Sequence, residues 1–338
     1  MTDAPPAAAR IPVTESWRRR AAATRMRVVL ADGHDRRAIG ACTRLEREGL
    51  ADPVLLDDPA TFGSPAVRAE AQASPSSERI DLDDPLHVAA LMVAAGEADA
   101  CVGGATRPTA DVVRAALTCI GLAPGVEILS SCFLLVLADG RPVTFADCGV
   151  VPEPDATQLA SIAISSAATH EVLVGEQARV AMLSYSTKGS ATGPRVDRIR
   201  SATDIVRRRA PSLAVDGELQ FDAAWAREVA RSKAPDSEVA GQANVFIFPD
   251  LDSGNIAYKV AERLGGARAY GPLLQGTARV IHDLSRGCDT DDIVTVAGIA
   301  ACQAARVSSV GSNHDAIAGS FEEIAPPGLE AEARGGQP

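Results

Sequence analysis

The feature that most constrains this chain is a regular alternation. Between residues 26 and 305, short apolar runs take turns with longer segments of helical character. Residues 26–30 read as a strand, and a helix over about 35–48 follows, stopped by Gly49. Residues 53–56 and 100–102 are further strands, with helices expected near 86–95, stopped by Gly96, and 110–119. Residues 130–137 and 143–147 flank Ala138-Asp-Gly-Arg-Pro142, a hairpin turn. After Pro152 the alternation resumes. Helices are expected at 156–170, 194–208, 223–229, 253–264 and 291–305, and strands at 178–184, 213–220, 245–248 and 269–273. Parallel strands need a crossover of a dozen or more residues, usually a helix, so this order predicts α/β layers around mainly parallel sheets. No short-period repeat is present.

The length of 338 residues suggests two domains, at roughly 100–200 residues each. Residues 1–20, rich in Pro, Ala and Arg, are expected to form a loose tail with at most a helical turn near Trp17. Residues 325–338 are expected to be loose as well.

Composition excludes several function classes. With 33 basic and 44 acidic residues the net charge is −11, which argues against a general nucleic-acid binder. The seven cysteines form no C-x-x-C pair, and no H-E-x-x-H occurs, so neither a disulfide framework nor a zinc site is expected. No run approaches the roughly 20 apolar residues of a membrane helix, and the start lacks a secretory apolar region. A soluble, cytoplasmic protein is expected. No G-x-G-x-x-G follows the first strand, because Gly103-Gly104 lacks the later glycine, and no G-x-x-x-x-G-K-[ST] loop occurs.

Three strand-to-helix segments carry concentrated polar chemistry. Ser184-Tyr-Ser-Thr-Lys-Gly-Ser-Ala-Thr-Gly193 precedes a helix that starts at Pro194. Its hydroxyls and Lys188 at a helix N-terminus suit an anion, or simply a capped loop. Phe248-Pro-Asp-Leu-Asp-Ser-Gly-Asn255 fits a ligand loop at a strand's carboxyl end, or Asp/Ser capping of the next helix. His282-Asp-Leu-Ser-Arg-Gly-Cys-Asp-Thr-Asp-Asp292 holds Ser285 and Arg286, fit to stabilise an oxyanion and to grip a phosphate. In it, Asp292 lies three residues after Asp289, where a capping box places its acid. Cys288 reads either as a nucleophile or as an inert buried thiol, and His282 as a surface or packed histidine.

Several longer motifs in order point to a family. They are Gly103-Gly-Ala-Thr-Arg-Pro-Thr-Ala-Asp-Val-Val-Arg114, Asp147-Cys-Gly-Val-Val-Pro-Glu-Pro-Asp155, Ser186-Thr-Lys-Gly-Ser190, Phe248-Pro-Asp-Leu-Asp-Ser-Gly-Asn-Ile-Ala-Tyr-Lys259 and Asp283-Leu-Ser-Arg-Gly-Cys288. Over about residues 26–305 the chain resembles the phosphate acetyl/butyryltransferase family, in its short form. The resemblance implies two α/β domains around a cleft, like those of isocitrate and isopropylmalate dehydrogenases. Residues 21–150 with about 276–324 would form one domain and about 151–275 the other. It also implies a homodimer and reversible acetyl transfer between acetyl phosphate and coenzyme A. Coenzyme A would be a substrate; no cofactor and no metal would be required.

The same resemblance assigns roles. Ser285, Arg286 and Asp292 match the family's catalytic serine, arginine and acid. Arg37, Arg114 and Arg263 resemble arginines implicated in coenzyme A or phosphate binding. Ser186, Thr187, Lys188, Gly189 and Ser190 would line the cleft. His282 stands where the family pattern expects asparagine. In the implied reaction Asp292 takes the thiol proton and the thiolate attacks the acetyl carbon directly, with no acetyl-enzyme. Ser285 would steady the oxyanion and Arg286 the departing phosphate. Two other functions compete: a phosphate butyryltransferase, and a non-catalytic acetyl-CoA-sensing module.

Overall fold

The computed structural model describes residues 12–311. The first stretch comprises α1 (Val13–Thr24), β1 (Arg27–Leu30), α2 (Arg36–Arg47), β2 (Asp52–Leu55), α3 (Pro59–Phe62), α4 (Pro65–Ala73), α5 (Pro85–Ala94), β3 (Ala100–Gly103) and α6 (Thr109–Ala115). The middle holds β4 (Ser130–Val136), β5 (Pro142–Ala146), α7 (Ala156–Val174), β6 (Arg179–Leu183), α8 (Pro194–Arg209) and β7 (Ala214–Leu219). The last stretch is α9 (Phe221–Trp225), α10 (Arg227–Lys233), β8 (Val245–Ile247), α11 (Leu251–Arg263), β9 (Arg268–Gln275), β10 (Val280–Asp283) and α12 (Thr290–Gly311).

The strands form two sheets. One is four-stranded in the order β10-β3-β1-β2, with every pair parallel. The other is six-stranded in the order β7-β6-β8-β5-β4-β9. Its β7, β6, β8 and β5 run parallel, while β4 is antiparallel to both neighbours. The expected hairpin between β4 and β5 is what introduces the antiparallel half. Parallel strands covered on both faces read as unbroken apolar runs, and β3 is buried throughout.

Two sequence expectations are corrected. Residues 13–20 are not a loose tail: they belong to α1, whose Val13, Trp17 and Ala21 are buried at helical spacing. Trp17 Nε1 donates to Leu173 O at 2.7 Å, and the Trp17 ring meets Tyr270 edge-on at 5.1 Å. Second, β4 and β5 were expected with the first unit but pair inside the second sheet. The pairing is nonlocal, because β5 takes β8 as its parallel neighbour a hundred residues later. β10 returns to the first sheet, parallel to β3. The expectations for residues 1–11 and 325–338 lie outside the described residues.

Two glycines permit close approaches that the site depends on. A Cβ at Gly33 would sit 2.0 Å from Leu56 O, so only glycine lets the loop after β1 pass β2. At Gly104, with φ +104°, a Cβ would lie 2.3 Å from Asp283 Oδ1. That glycine lets the loop after β3 touch the end of β10.

Candidate active site

The carboxyl ends of β3 and β10 lie side by side, so the loops that follow them are neighbours. Leu284 N donates to Gly103 O at 2.8 Å, and Ala31 N to Val102 O at 2.9 Å. The loop after β3 is shaped by Asp32, whose carboxylate accepts from Ala105 N (3.0 Å), Thr106 N (3.2 Å) and Thr106 Oγ1 (2.5 Å). The loop after β10 is a turn in which Cys288 N donates to Ser285 O at 2.9 Å and Gly287 N to Ser285 Oγ at 3.2 Å. It ends in a capping box: Asp289 Oδ1 accepts from Asp292 N (2.8 Å), and Asp292 Oδ2 accepts from Asp289 N (3.0 Å).

A cleft of about 680 Å³ opens between the two sheets at these loops. Ser285, Arg286 and Asp292 line it from one side, with Arg107 and Thr109 beside them. The second sheet contributes Phe133 and Tyr270, and α11 contributes Asn255, Tyr258 and Arg263. Ser285, Arg286 and Asp292 are exposed. Arg286 makes no ion pair among the described residues, so its guanidinium is available to an anion. Asp292 therefore caps α12, as its spacing from Asp289 suggested, and also lines the cleft.

Asp283 lies at the bottom of this wall. Its Oδ2 accepts from Thr109 Oγ1 at 2.5 Å, while Oδ1 is buried without a partner. Burial, helped by the charge of Asp32, pushes its carboxyl up to about 7. Cys288 is buried, and burial lifts its thiol to about 11 despite the nearby Arg37, so it is no thiolate nucleophile near neutral pH. His282 points away from the cleft; its Nε2 meets Gln303 Oε1 at 2.5 Å, and burial lowers the ring to about 4, leaving it neutral.

The structure separates the remaining expected residues. Arg263 lines the cleft, 81% exposed and 3.4 Å from its neighbour Glu262. Arg114 does not. It borders a separate depression of about 370 Å³ with Arg79, His87 and Arg107, and pairs with Asp111. Arg37 is turned inward, onto backbone carbonyls and Asp35.

The loop of Ser186, Thr187, Lys188, Gly189 and Ser190 is not among the cleft-lining residues. Its polar groups are consumed by β7 and the residue after it. Glu218 accepts from Ser186 Oγ (2.8 Å), Gly189 N (2.9 Å) and Arg200 Nε (2.8 Å). Burial alone would raise the Glu218 carboxyl, but these donors hold it down to about 2. Lys188 pairs with buried Asp216, Thr187 Oγ1 reaches Gln220 Oε1 at 3.3 Å, and Thr187 N donates to Ser190 Oγ at 3.0 Å. Lys188 borders a different depression, of about 570 Å³.

The segment 248–255 shows the capping considered for it and also reaches the cleft. Asp250 caps α11 by accepting from Ser253 N at 2.9 Å, and Asn255 reaches the cleft. Sequence reasoning missed Arg107, Thr109, Phe133, Tyr258 and Tyr270 as cleft residues. Arg107 and Thr109 follow Gly103-Gly104 at a strand's carboxyl end, which is a usable signal. Phe133 and Tyr270 sit inside strands and carry none. Among the described residues there is no cluster of three or more His, Cys, Asp or Glu that could hold a metal. No helix there is long and apolar enough to cross a membrane.

A two-sheet α/β protein with a serine and an arginine unpaired among the described residues on one cleft loop, and a carboxylate in the first turn of the helix that follows, belongs to a class equipped for group transfer to or from an anionic substrate. The phosphate acetyl/butaryl transferase family matches residues 65–301, and the chain belongs to that family. It is 43% identical over 315 residues to a phosphate acetyltransferase of Acetivibrio thermocellus, covering 83% of this chain and 95% of that protein. It is 45% identical over 299 residues to one of Paracoccus denitrificans, covering 82% and 94%. The structure superposes on a phosphotransacetylase of Streptococcus pyogenes with a TM-score of 0.82 at 38% identity, covering 87% of this chain and 98% of that one.

Proposed function

We infer that this chain catalyses the reversible transfer of an acetyl group between acetyl phosphate and coenzyme A. The observation that carries the reading is the placement of Ser285, Arg286 and Asp292 together on one wall of the cleft. Relatives named phosphate acetyltransferase at this identity favour acetyl over butyryl transfer, and catalysis over sensing.

We propose that both substrates bind in the cleft at once. A free thiol has a pKa near 8.5, so only a few per cent is ionised at pH 7. The Asp292 carboxylate would take the thiol proton as sulfur approaches the acetyl carbon. The C–S bond forms, the tetrahedral oxyanion accepts a hydrogen bond from Ser285 Oγ–H, and the C–O bond to phosphate breaks. Arg286 would hold the leaving phosphate by its fork, with exposed Arg263 adding positive charge, while Arg107 is paired with Asp84 at 2.7 Å. Arginine supplies the charge neutralisation here, so we propose that neither metal nor organic cofactor takes part.

We further propose a cytoplasmic homodimer. The described cysteines are all unpaired, as suits a reducing compartment. On α11, Ile256 and Val260 and then Leu264 just beyond it recur every four residues and are 61%, 49% and 84% exposed, an apolar stripe that a second copy would cover. Purified protein with a chelator present should form acetyl-CoA from acetyl phosphate and run backwards with phosphate. Absence of turnover in both directions by folded protein refutes the reading. Higher catalytic efficiency with butyryl phosphate moves it to butyryl transfer. Sedimentation should give a dimer that Val260→Asp dissociates.

A further inference from the structure

Arg37 resembles a substrate-binding arginine by position, yet its surroundings leave it nothing to bind with. A guanidinium has five N–H donors in a fixed fork. Nε donates to Asp35 Oδ1 at 2.9 Å. Nη1 donates to the carbonyls of Arg286 and Cys288, each at 2.9 Å. Nη2 donates to Asp35 Oδ2 and to the Ala105 carbonyl, each at 2.8 Å. All five donors are spent, and a phosphate could reach the group only by breaking at least one of these bonds.

The acceptors explain what the group does. The Arg286 and Cys288 carbonyls belong to the loop after β10, and the Ala105 carbonyl to the loop after β3. One planar cation thus ties together the two loops that carry Ser285, Arg286, Arg107 and Thr109. Asp35 makes the clamp possible: it caps α2 by accepting from Arg37 N at 2.7 Å and orients the guanidinium with the same carboxylate. We propose that Arg37 is a positioning residue, which holds the Ser285–Arg286 loop against the Arg107–Thr109 loop and does not itself touch coenzyme A or phosphate. The proposal rests on the acetyl-transfer reading for its kinetic test, but its structural test stands alone.

Lysine at this position keeps the charge and loses the fork. Displacing a reacting group by about 1 Å costs roughly 10²-fold in rate. Arg37→Lys should therefore lower kcat about 10- to 100-fold while KM for coenzyme A and for acetyl phosphate moves by less than about threefold. The preference for coenzyme A over 3′-dephospho-coenzyme A should be unchanged. The second readout needs no activity. Cys288 is only 7% exposed behind the clamp, so loosening the loop should speed its alkylation by iodoacetamide, mapped by mass spectrometry, at least tenfold. Cys101 and Cys132, buried in the strands, should stay protected and report that the fold is intact. Asp35→Asn retains a cap acceptor and should shift both readouts the same way by less. A rise in KM for coenzyme A with kcat kept, or loss of the 3′-phosphate preference, would make Arg37 a ligand and overturn the proposal. Unchanged Cys288 alkylation in Arg37→Lys would overturn it whether or not the protein turns over acetyl phosphate.

Discussion

The loop at residues 186–190 and the loop at residues 285–288 share a local description. Each joins the carboxyl end of a strand to a helix, and each holds glycine, a serine hydroxyl and one cation. Their fates differ because of what stands beside them. Next to the first, β7 brings Asp216 and Glu218, which take up Lys188, Ser186 and Gly189 N. Next to the second, β3 brings a glycine-rich loop with no carboxylate placed to pair Arg286, and the clamp from Arg37 uses backbone carbonyls, leaving the Arg286 side chain free. One loop thereby has its polar groups internally paired, and the other keeps Arg286 unpaired among the described residues at the cleft. An anion loop is recognised by its unpaired cation, not by its polar sequence.

The comparison breaks most sharply at Asp292. Asp292→Asn keeps an acceptor for Asp289 N, so the cap and the melting temperature should hold, while the base is gone. Turnover should fall about 10²- to 10⁴-fold and recover in part at high pH, as coenzyme A ionises in solution. Early melting with normal turnover per folded molecule would instead make this loop a structural joint like the other.

Glu218→Gln is the opposite case. It removes the charge that holds Arg200, Ser186 and Gly189 together and should cost roughly 1–3 kcal/mol of stability. Turnover per folded molecule should stay within a few-fold. Since Glu218 is held at about 2 when folded against 4.5 ordinarily, it binds its proton less well in the folded state. Its stabilisation is full above about pH 4.5 and is lost as pH falls towards 2. Denaturant midpoints of the two proteins should therefore converge in acid.

The smallest effects belong to Lys188→Gln and Cys288→Ala. Lys188 is partly exposed and shares Asp216 with Arg207, so its loss should cost no more than about 1 kcal/mol. It should leave kcat and KM within about twofold, whereas an anion-binding role would raise a KM. Cys288→Ala should keep turnover within about threefold, and ping-pong kinetics in the unmodified protein would contradict the direct transfer proposed.

Much of this was legible along the chain. The strand and helix order follows from local periodicity, whereas the roles given to Ser285, Arg286 and Asp292 came from the family resemblance, since the spacing of Asp289 and Asp292 alone pointed to a cap. The α1 helix was hidden by a Pro/Ala/Arg-rich composition, although Val13, Trp17 and Ala21 carried its period. The sheet that β4 and β5 join was not legible, since either sheet could have accepted two apolar strands.

By itself the sequence determined the α/β class, the hairpin after β4, and a polar segment rich in glycine and charge at residues 285–292. These depend on interactions a few residues long: helical period, turn chemistry and capping. The tertiary structure alone decided that Lys188 is paired while Arg286 is unpaired among the described residues, that the Arg37 donors are filled by the two neighbouring loops, and that Tyr270 lines the cleft. The physical reason is that a polar group's role depends on whether its hydrogen-bonding capacity is already filled. In this protein the filling partners lie up to 251 residues away, as Arg37 and the Cys288 carbonyl do.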